Sequence, residues 1–234
     1  MESYGQRPLL AQVSRKLNVL QSSMKFSVRD ADASFNDAQF LIDAFDSTIP
    51  HLVKTGNSEQ WGTEPLSKKK GHVQRDPVRV FIAEVEDDQG SSGSSVNENL
   101  ARRIDENGNT LLSVGFVQVL DGQFSGYLRT SESLKNHVGP ALENGNFVFL
   151  QYLVTDHRVG DKRRGAGAVL LQRVKDYAAE KGWKTIWLDC WDGGNRQLVQ
   201  YYVDRGFQIM GSFQDTDDKD EVPWKGKLLR IDLA

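Results

Sequence analysis

The feature that most constrains this chain is an apolar run followed at once by a basic, glycine-containing turn and an amphipathic helix. Residues 147–154 (FVFLQYLV) are almost continuously apolar, which is typical of a central strand covered on both faces. Residues 158–167 form the turn, and after it Leu170, Val174 and Ala178 recur at helical spacing. This pattern predicts a buried strand that leads through a tight turn into a helix.

The remaining elements predict one mixed sheet. Further strand patterns occupy residues 25–30, 78–85, 111–120, 184–190, 207–213 and 227–232. Helix patterns occupy residues 33–53, the segment from the turn to about residue 181, and residues 195–205. We predict an α/β (α+β) fold with a mostly antiparallel central sheet of about six to seven strands, flanked by helices and containing one parallel crossover.

The domain organisation follows from where this patterning is strong or weak. Residues 1–22 are polar and weakly patterned, and we interpret them as an N-terminal arm. Residues 23–234 are expected to form one domain, because their length suits a single core. Within it, residues 87–109 and 121–145 exceed what simple connections need and are predicted to be insertions.

Charge and cysteine content exclude several kinds of function. The chain has 29 Lys and Arg against 32 Asp and Glu, a net charge of -3, so no general positive field attracts nucleic acid or a membrane surface. No apolar window approaches eighteen residues and no signal-peptide pattern begins the sequence, so we expect a protein of the cytosol or nucleus and assign it to the cytoplasm. The single cysteine, Cys190, and four scattered histidines predict neither a disulfide nor a metal site.

The glycine-containing turn predicts a phosphate site. In residues 162–168 (KRRGAGA), backbone N–H groups gather at a helix N-terminus, where the helix dipole is positive. Lys162, Arg163 and Arg164 would neutralise a pyrophosphate or a 3′-phosphate. No GK[ST] follows and no GxGxxG opens the first strand, which excludes the nucleotide-binding loops that those motifs mark. The alternative is that the turn only connects a strand to a helix.

A second motif follows at a suitable distance. Residues 162–167 (KRRGAG) fit the pattern Q/R-x-x-G-x-G/A with lysine in the first place, and residues 195–207 (NRQLVQYYVDRGF) fit N-x-x-A/L-x-x-x-Y-x-x-x-G-F. In this order the two motifs resemble those of the GNAT superfamily of acyl-CoA-dependent N-acyltransferases. The likeness extends over about residues 146–214, and residues 188–194 (LDCWDGG) are similar to a subgroup of small-molecule acetyltransferases.

The resemblance implies acetyl-CoA as co-substrate and no metal. It implies that the central parallel strand pair splays, so that free backbone groups of one strand bind pantetheine and polarise the thioester carbonyl. We expect pantetheine to bind the backbone of Leu153, Val154 and Thr155. The phosphates are expected to bind Lys162, Arg163, Arg164, Gly165, Ala166, Gly167 and Ala168, and Asn195 is expected to contact the cofactor arm.

The resemblance also implies direct attack by a primary amine of a small molecule in a ternary complex. Tyr202 would protonate the departing thiolate, and Asp189 or Asp192 would accept the proton of the amine. A protein lysine or N-terminus is the alternative acceptor, and a non-catalytic acyl-CoA sensor is the alternative function. Members of the family pair through strands, so a homodimer is one expected assembly.

Several of these residues also have ordinary structural explanations. Tyr202 could be a core tyrosine, Asn195 a helix cap, and Cys190 inert packing. Trp61 and Trp224 could pack in the core or form an aromatic wall for the acceptor. The acidic residues 215–221 could be solvated, or could border the acceptor site and favour a cationic amine.

Overall fold

The computed structural model describes residues 25–68, 78–87, 99–215 and 223–233. The predicted arm 1–22, the middle of the first predicted insertion and all of the acidic segment 215–221 except Asp215 lie outside these ranges. The strands are β1 Phe26–Asp30, β2 Val78–Glu86, β3 Arg102–Ile104, β4 Thr110–Asp121, β5 Phe147–Thr155, β6 Thr185–Trp191, β7 Gln208–Asp215 and β8 Trp224–Asp232. The α-helices are α1 Asp37–Lys54, α2 Gly126–Thr130, α3 Lys135–Asn144, α4 Ala166–Glu180 and α5 Gln197–Val203, and a 3₁₀ helix, His157–Arg163, precedes α4.

The strands form one sheet in the order β1-β2-β4-β5-β6-β8-β7, and β3 pairs with β4 off this path. β5 and β6 are parallel, and the other described pairs are antiparallel. The predicted mixed fold is therefore confirmed. The described sheet has eight strands, one more than the expected upper number, because β3 lies within the predicted insertion 87–109 and is too short and too charged to show strand alternation.

The parallel pair opens part-way along its length. β5 pairs with β6 only from Phe147 opposite Thr185 to Leu150 opposite Leu188. β5 continues to Thr155 and β6 to Trp191, so their C-terminal halves run on without pairing with each other. An irregularity where β5 pairs with β4 leaves Gln151 unmatched at the point of divergence, and such a bulge bends a strand and increases its twist.

Helices cover both faces of the sheet and complete the core. α4 packs Leu170, Leu171 and Val174 against β2, β4, β5 and β6, and α1 packs Phe40 and Ala44 against β2 and β4. No helix in the described ranges is both long and apolar enough to cross a membrane.

The segment 121–145 is a compact helical unit. Leu128 of α2 and Val138 of α3 pack with Phe147, Phe149 and Trp187 at the paired end of β5 and β6. Because α2 lies over the sheet near the point where the strands diverge, it also brings side chains of this segment to the opening.

Candidate active site

The opening between β5 and β6 exposes backbone groups of β5. The Asp156 N–H donates to the Val114 carbonyl of β4 at 2.9 Å. Since backbone groups alternate along an antiparallel strand, Val154 also directs its N–H and C=O to β4, whereas Leu153 and Thr155 direct theirs away from it. Of the three β5 residues predicted to bind pantetheine, Leu153 and Thr155 therefore present backbone groups to the opening.

The predicted phosphate turn presents N–H groups at the start of α4. Gly165 adopts φ 94°, a left-handed conformation that glycine tolerates without strain. The first hydrogen bond of α4 runs from the Ala168 N–H to the Gly165 carbonyl at 3.0 Å. Among the described residues, none accepts a hydrogen bond from the backbone N–H groups of Gly165, Ala166 or Gly167. These donors at a positive helix end fit an anionic phosphate.

The three cations of the turn do not converge on one point. Lys162 forms an ion pair with Asp87, and Arg164 pairs with Asp161 at 3.0 Å with both side chains largely exposed. The Nε atom of Arg163 is buried and has no hydrogen-bond partner within the described ranges. The backbone donors are therefore the groups that this turn offers most directly to an anion, and no described carboxylate forms an ion pair with Arg163.

A cavity of about 260 Å³ lies where the strands diverge. It is bordered by the segment after α1, by α2 and α5, and by β5, β6, β7 and β8. Its lining combines aromatic rings, carboxylates, amides and small apolar groups, namely Trp61, Tyr127, Tyr152, Trp191, Trp224, Tyr202, Asp189, Asp215, Gln60, Gln151, Leu150, Leu153, Leu198 and Cys190.

Asp189 is the carboxylate of β6 that lies immediately beyond the last pair with β5. Its Oδ1 accepts a hydrogen bond from the Tyr127 hydroxyl at 3.1 Å. The pKa of Asp189 is raised to about 7, chiefly by burial and also by the nearby charge of Asp215, while the Tyr127 hydrogen bond opposes the shift. A carboxyl group with a pKa near neutrality suits proton transfer at physiological pH.

Asp192 lies only three residues after Asp189, but unlike Asp189 it is paired with cationic side chains. Its Oδ1 accepts from Arg196 Nε at 2.9 Å, and its Oδ2 pairs with Lys227 Nζ at 3.0 Å. Asp192 is absent from the cavity lining. The structure thus separates the two predicted carboxylates: Asp189 faces the cavity, and Asp192 is neutralised beside it.

Tyr202 lies on α5 and lines the cavity on the side opposite α2. The residue is 5% exposed and packs edge-on against Tyr201 and Phe207, at ring distances of 5.2 and 5.7 Å. Burial raises the pKa of Tyr202, and neighbouring ionisable groups, Cys190 first among them, raise it further. The phenol therefore keeps its proton across the physiological range and is available as a donor.

Asn195 lies just before α5 and is exposed. Its Oδ1 accepts from the Gln197 N–H at 3.2 Å, which is the local turn-forming contact expected of an asparagine at a helix start. Arg196 between them adopts φ 61°. The contact forms a turn before the helix, whereas the residue that directly flanks α5 is Arg196, so Asn195 does not occupy the predicted capping position. The Asn195 side chain lies at the surface, outside the cavity lining.

Comparisons with known proteins identify the family. The family model described as "Acetyltransferase (GNAT) family" matches residues 51–207, more than half of the chain. The chain belongs to this family. No curated protein matches the sequence.

Solved structures share the GNAT fold at low sequence identity. A candidate phosphinothricin N-acetyltransferase is 18% identical with a TM-score of 0.51, and the match covers 90% of this chain and 99% of that one. A candidate acetyltransferase from Salmonella typhimurium is 13% identical with a TM-score of 0.50, covering 90% and 95%. A ribosomal-protein-alanine N-acetyltransferase from Brucella melitensis is 13% identical with a TM-score of 0.50, covering 88% and 99%. At these identities the likeness establishes the fold.

Cys190 lies in the GNAT cavity without the properties of a nucleophile. It is 5% exposed, and burial together with the nearby carboxylates raises its thiol pKa far above the usual range. A thiol that stays protonated at neutral pH reacts slowly, because the thiolate is the nucleophilic form. Within the described ranges no group of three or more His, Cys, Asp and Glu side chains could hold a metal ion.

Sequence reasoning missed Tyr127 and Gln151. Tyr127 lies in the predicted insertion 121–145, and the family motifs do not extend to it. Gln151 is the unmatched residue of β5, and its side chain accepts from Gln118 Nε2 at 2.7 Å. For Gln151 the available signal was compositional, since it places a polar side chain inside an otherwise apolar run. The polar, glycine-containing segment around Tyr127 carried no such signal.

Proposed function

We propose that this GNAT family member transfers an acetyl group from acetyl-CoA to a primary amine of a small molecule by direct attack in a ternary complex. The observation that carries the proposal is the opening between β5 and β6, where free backbone groups on β5 lie across one cavity from Asp189 and Tyr202. A primary amine needs a proton acceptor, a polarised thioester and a proton donor for the thiolate, and the cavity offers a candidate for each.

The fit to acetyl-CoA rests on the chain's own donors. Leu153 and Thr155 offer N–H and C=O groups at which pantetheine would add as a further strand. The N–H groups at the start of α4 and the Arg163 guanidinium would bind the pyrophosphate. The Salmonella typhimurium structure, whose fold this chain shares, was determined with acetyl-CoA.

The chemistry requires two proton movements. The amine nitrogen forms a bond to the thioester carbon, and its proton passes to the Asp189 carboxylate, directly or through water. Backbone N–H groups of β5 stabilise the negative charge that develops on the carbonyl oxygen. The carbon–sulfur bond breaks, and Tyr202 donates its proton to the leaving sulfur. The proton held by Asp189 then returns to solvent, and Tyr202 regains one.

The shape of the cavity favours a small acceptor over a protein chain. Trp224 Nε1 donates to the Gln60 carbonyl at 2.9 Å, which ties β8 to the segment after α1 beside the cavity. Trp61 stacks on Phe45 of α1 at 4.5 Å between ring centroids. These contacts support a walled pocket, whereas an extended peptide needs an open groove. A cytoplasmic location and a homodimer remain predictions from the sequence.

The test combines calorimetry with a thiol-release assay. Purified protein is titrated with acetyl-CoA and, as a control, with ATP, and free thiol is then followed with pooled primary amines. We expect micromolar binding of acetyl-CoA, weaker or no binding of ATP, and thiol release with one amine pool. Absence of acetyl-CoA binding would refute the proposal. Binding without release from any pool, unchanged in Tyr202→Phe, would favour the non-catalytic sensor.

A further inference from the structure

We infer that the acceptor is a small diamine, one amino group of which reacts beside Asp189 while the other, protonated, binds Asp215 among the aromatic rings of the same cavity. This inference rests on the proposed function, because it assigns the acceptor of that site. It names a substrate class and makes Asp215 a specificity-determining residue.

The charged side chains that line the cavity are all acidic among the described residues. Asp189 and Asp215 are carboxylates, and no Lys, Arg or His is among the described residues that line the cavity. Neither carboxylate forms an ion pair with any residue in the described ranges. The cavity is therefore suited to a cation.

The most buried carboxylates of the described residues have cationic partners. Each of them pairs with arginine or lysine, as the ion pairs of Asp37, Glu84, Asp87 and Asp156 show. Asp189 lies deep in the cavity and Asp215 is partly exposed, and neither has a cationic partner among the described residues. A fold that supplies arginine or lysine to its most buried carboxylates and none to these two leaves them available to a cationic ligand. The pattern distinguishes a binding site from an ordinary acidic surface.

The two carboxylates come from different strands that border the same cavity. Asp189 is on β6, and Asp215 is at the end of β7, with β8 between the two strands. Asp215 pairs in register with Trp224 of β8, which also lines the cavity. The charge of Asp215 contributes to the raised pKa of Asp189, so the two groups interact across this space. A ligand that contacts both carboxylates must extend across β8.

The walls between the carboxylates suit a methylene chain ending in an ammonium group. Trp61, Tyr152 and Trp224 supply apolar surface, and aromatic faces attract cations. An amine that carries its own carboxylate would meet two negative charges and no described cation in this lining. Amino acids and similar anionic amines should therefore be poor acceptors, even though they offer the same primary amine.

The first test compares three amines of matched length on the wild-type protein, using kcat/KM for acetyl transfer from acetyl-CoA. The amines are 1,4-diaminobutane, n-butylamine, which lacks the second amino group, and ornithine, which adds a carboxylate to the diamine. We expect 1,4-diaminobutane to exceed both others by at least about tenfold. Equal or better use of n-butylamine or ornithine would overturn the inference.

The second test removes the charge that is assigned to the distal amino group. Asp215→Asn should lower kcat/KM for 1,4-diaminobutane by about tenfold or more, and should change that for n-butylamine little. Asp176→Asn is the matched control, because Asp176 is an exposed carboxylate on α4 outside the cavity lining. An equal loss for both amines in Asp215→Asn would mean that Asp215 acts on folding or on chemistry, and would also overturn the inference.

Direct binding separates this inference from the proposed function. Three tryptophans line the cavity, so their fluorescence reports an amine that enters it, with or without CoA present. Saturable binding of 1,4-diaminobutane that is weakened by Asp215→Asn, together with no acetyl transfer, would refute the transferase and leave the diamine site standing. Acetyl transfer to other amines, with 1,4-diaminobutane neither bound nor used, would refute the diamine and leave the transferase standing.

Discussion

The two halves of the β5–β6 pair differ in what their backbone and side chains do. From Phe147 to Leu150, β5 is fully buried and hydrogen-bonded to strands on both sides. Beyond Gln151 the same strand is bonded to β4 alone, and Tyr152 is 36% exposed. One half is a core element, and the other presents half of its backbone groups to a cavity.

The comparison shows how a stable sheet can hold a reactive site. An unpaired edge inside a sheet is costly unless something binds it. Here the paired half is fixed by the aromatic cluster of Phe124, Phe147, Phe149 and Trp187, so the opening begins at a rigid point. The half of β5 that does not pair with β6 can then offer its backbone groups to a ligand, while its hydrogen bonds to β4 keep it a strand.

Asp189→Asn gives the largest expected effect on the open half. Asparagine cannot accept the amine proton, so kcat should fall by a factor of about 10² to 10⁴, and the ionisation near pH 7 should disappear from the pH profile. Steady-state assays across pH 5 to 9 measure both. If the remaining activity of Asp189→Asn kept a pH profile with the same midpoint, Asp189 would not be the proton acceptor.

The folding of this variant provides its control. The pKa of Asp189 is raised from the usual Asp range to about 7, so folding takes up a proton between these values. Its contribution to stability is therefore present at low pH and is lost as pH rises through about 7. Asp189→Asn should be at least as stable as the wild type at pH 8 in urea unfolding, which separates lost chemistry from lost fold.

Phe149→Ala tests the paired half. Phe149 is 0% exposed, and its removal should lower the free energy of unfolding by about 3 to 5 kcal/mol through lost burial and a cavity. Urea unfolding measures the loss, and kcat per folded molecule should change far less than in Asp189→Asn. A larger effect on kcat than on stability would mean that the two halves are not separable.

Tyr202→Phe should lower kcat by about 10² with acetyl-CoA affinity nearly unchanged, because the lost group is a proton donor. Tyr177→Phe is the matched control, since it removes a buried phenol that donates to Asp121 at 2.8 Å away from the cavity. The control should lose stability and keep kcat. Equal kcat losses in the two variants would remove the special role of Tyr202.

Tyr127→Phe gives the smallest effect and sharpens the account of Asp189. The Tyr127 hydrogen bond lowers the pKa of Asp189, so its removal should move the midpoint of the kcat/KM profile upward from about 7. The rate at pH 9 should change little, and the rate at pH 6 should fall. A downward shift of the midpoint would contradict the observed contact.

Much of the fold could be predicted from the sequence, because buried strands such as the paired half of β5 appear in it as apolar runs. The strand patterns at 78–85 and 147–154 fall inside β2 and β5, and the glycine turn precedes α4 as expected. The divergence of β5 and β6 could not be obtained this way, because it depends on one unmatched residue, Gln151. It entered the prediction only through the family resemblance.

The site was predictable where a motif carries it. Tyr202 entered the prediction through the family resemblance, and the turn before α4 entered through its glycines and cations. Asp189 and Asp192 could not be ranked, since their difference depends on which cations fold against them. Arg196 and Lys227 neutralise Asp192, and Lys227 comes from β8, far along the chain. Tyr127 was missed because its segment carries no motif.

Hydrogen–deuterium exchange with and without acetyl-CoA tests the comparison between the two halves most directly. The account predicts slower exchange at Leu153, Thr155 and residues 165–167 when acetyl-CoA binds, with no change at residues 147–150. That result would mean that the open half of β5 and the start of α4 hold the cofactor. Saturating acetyl-CoA that leaves residues 151–155 unprotected would contradict the central claim.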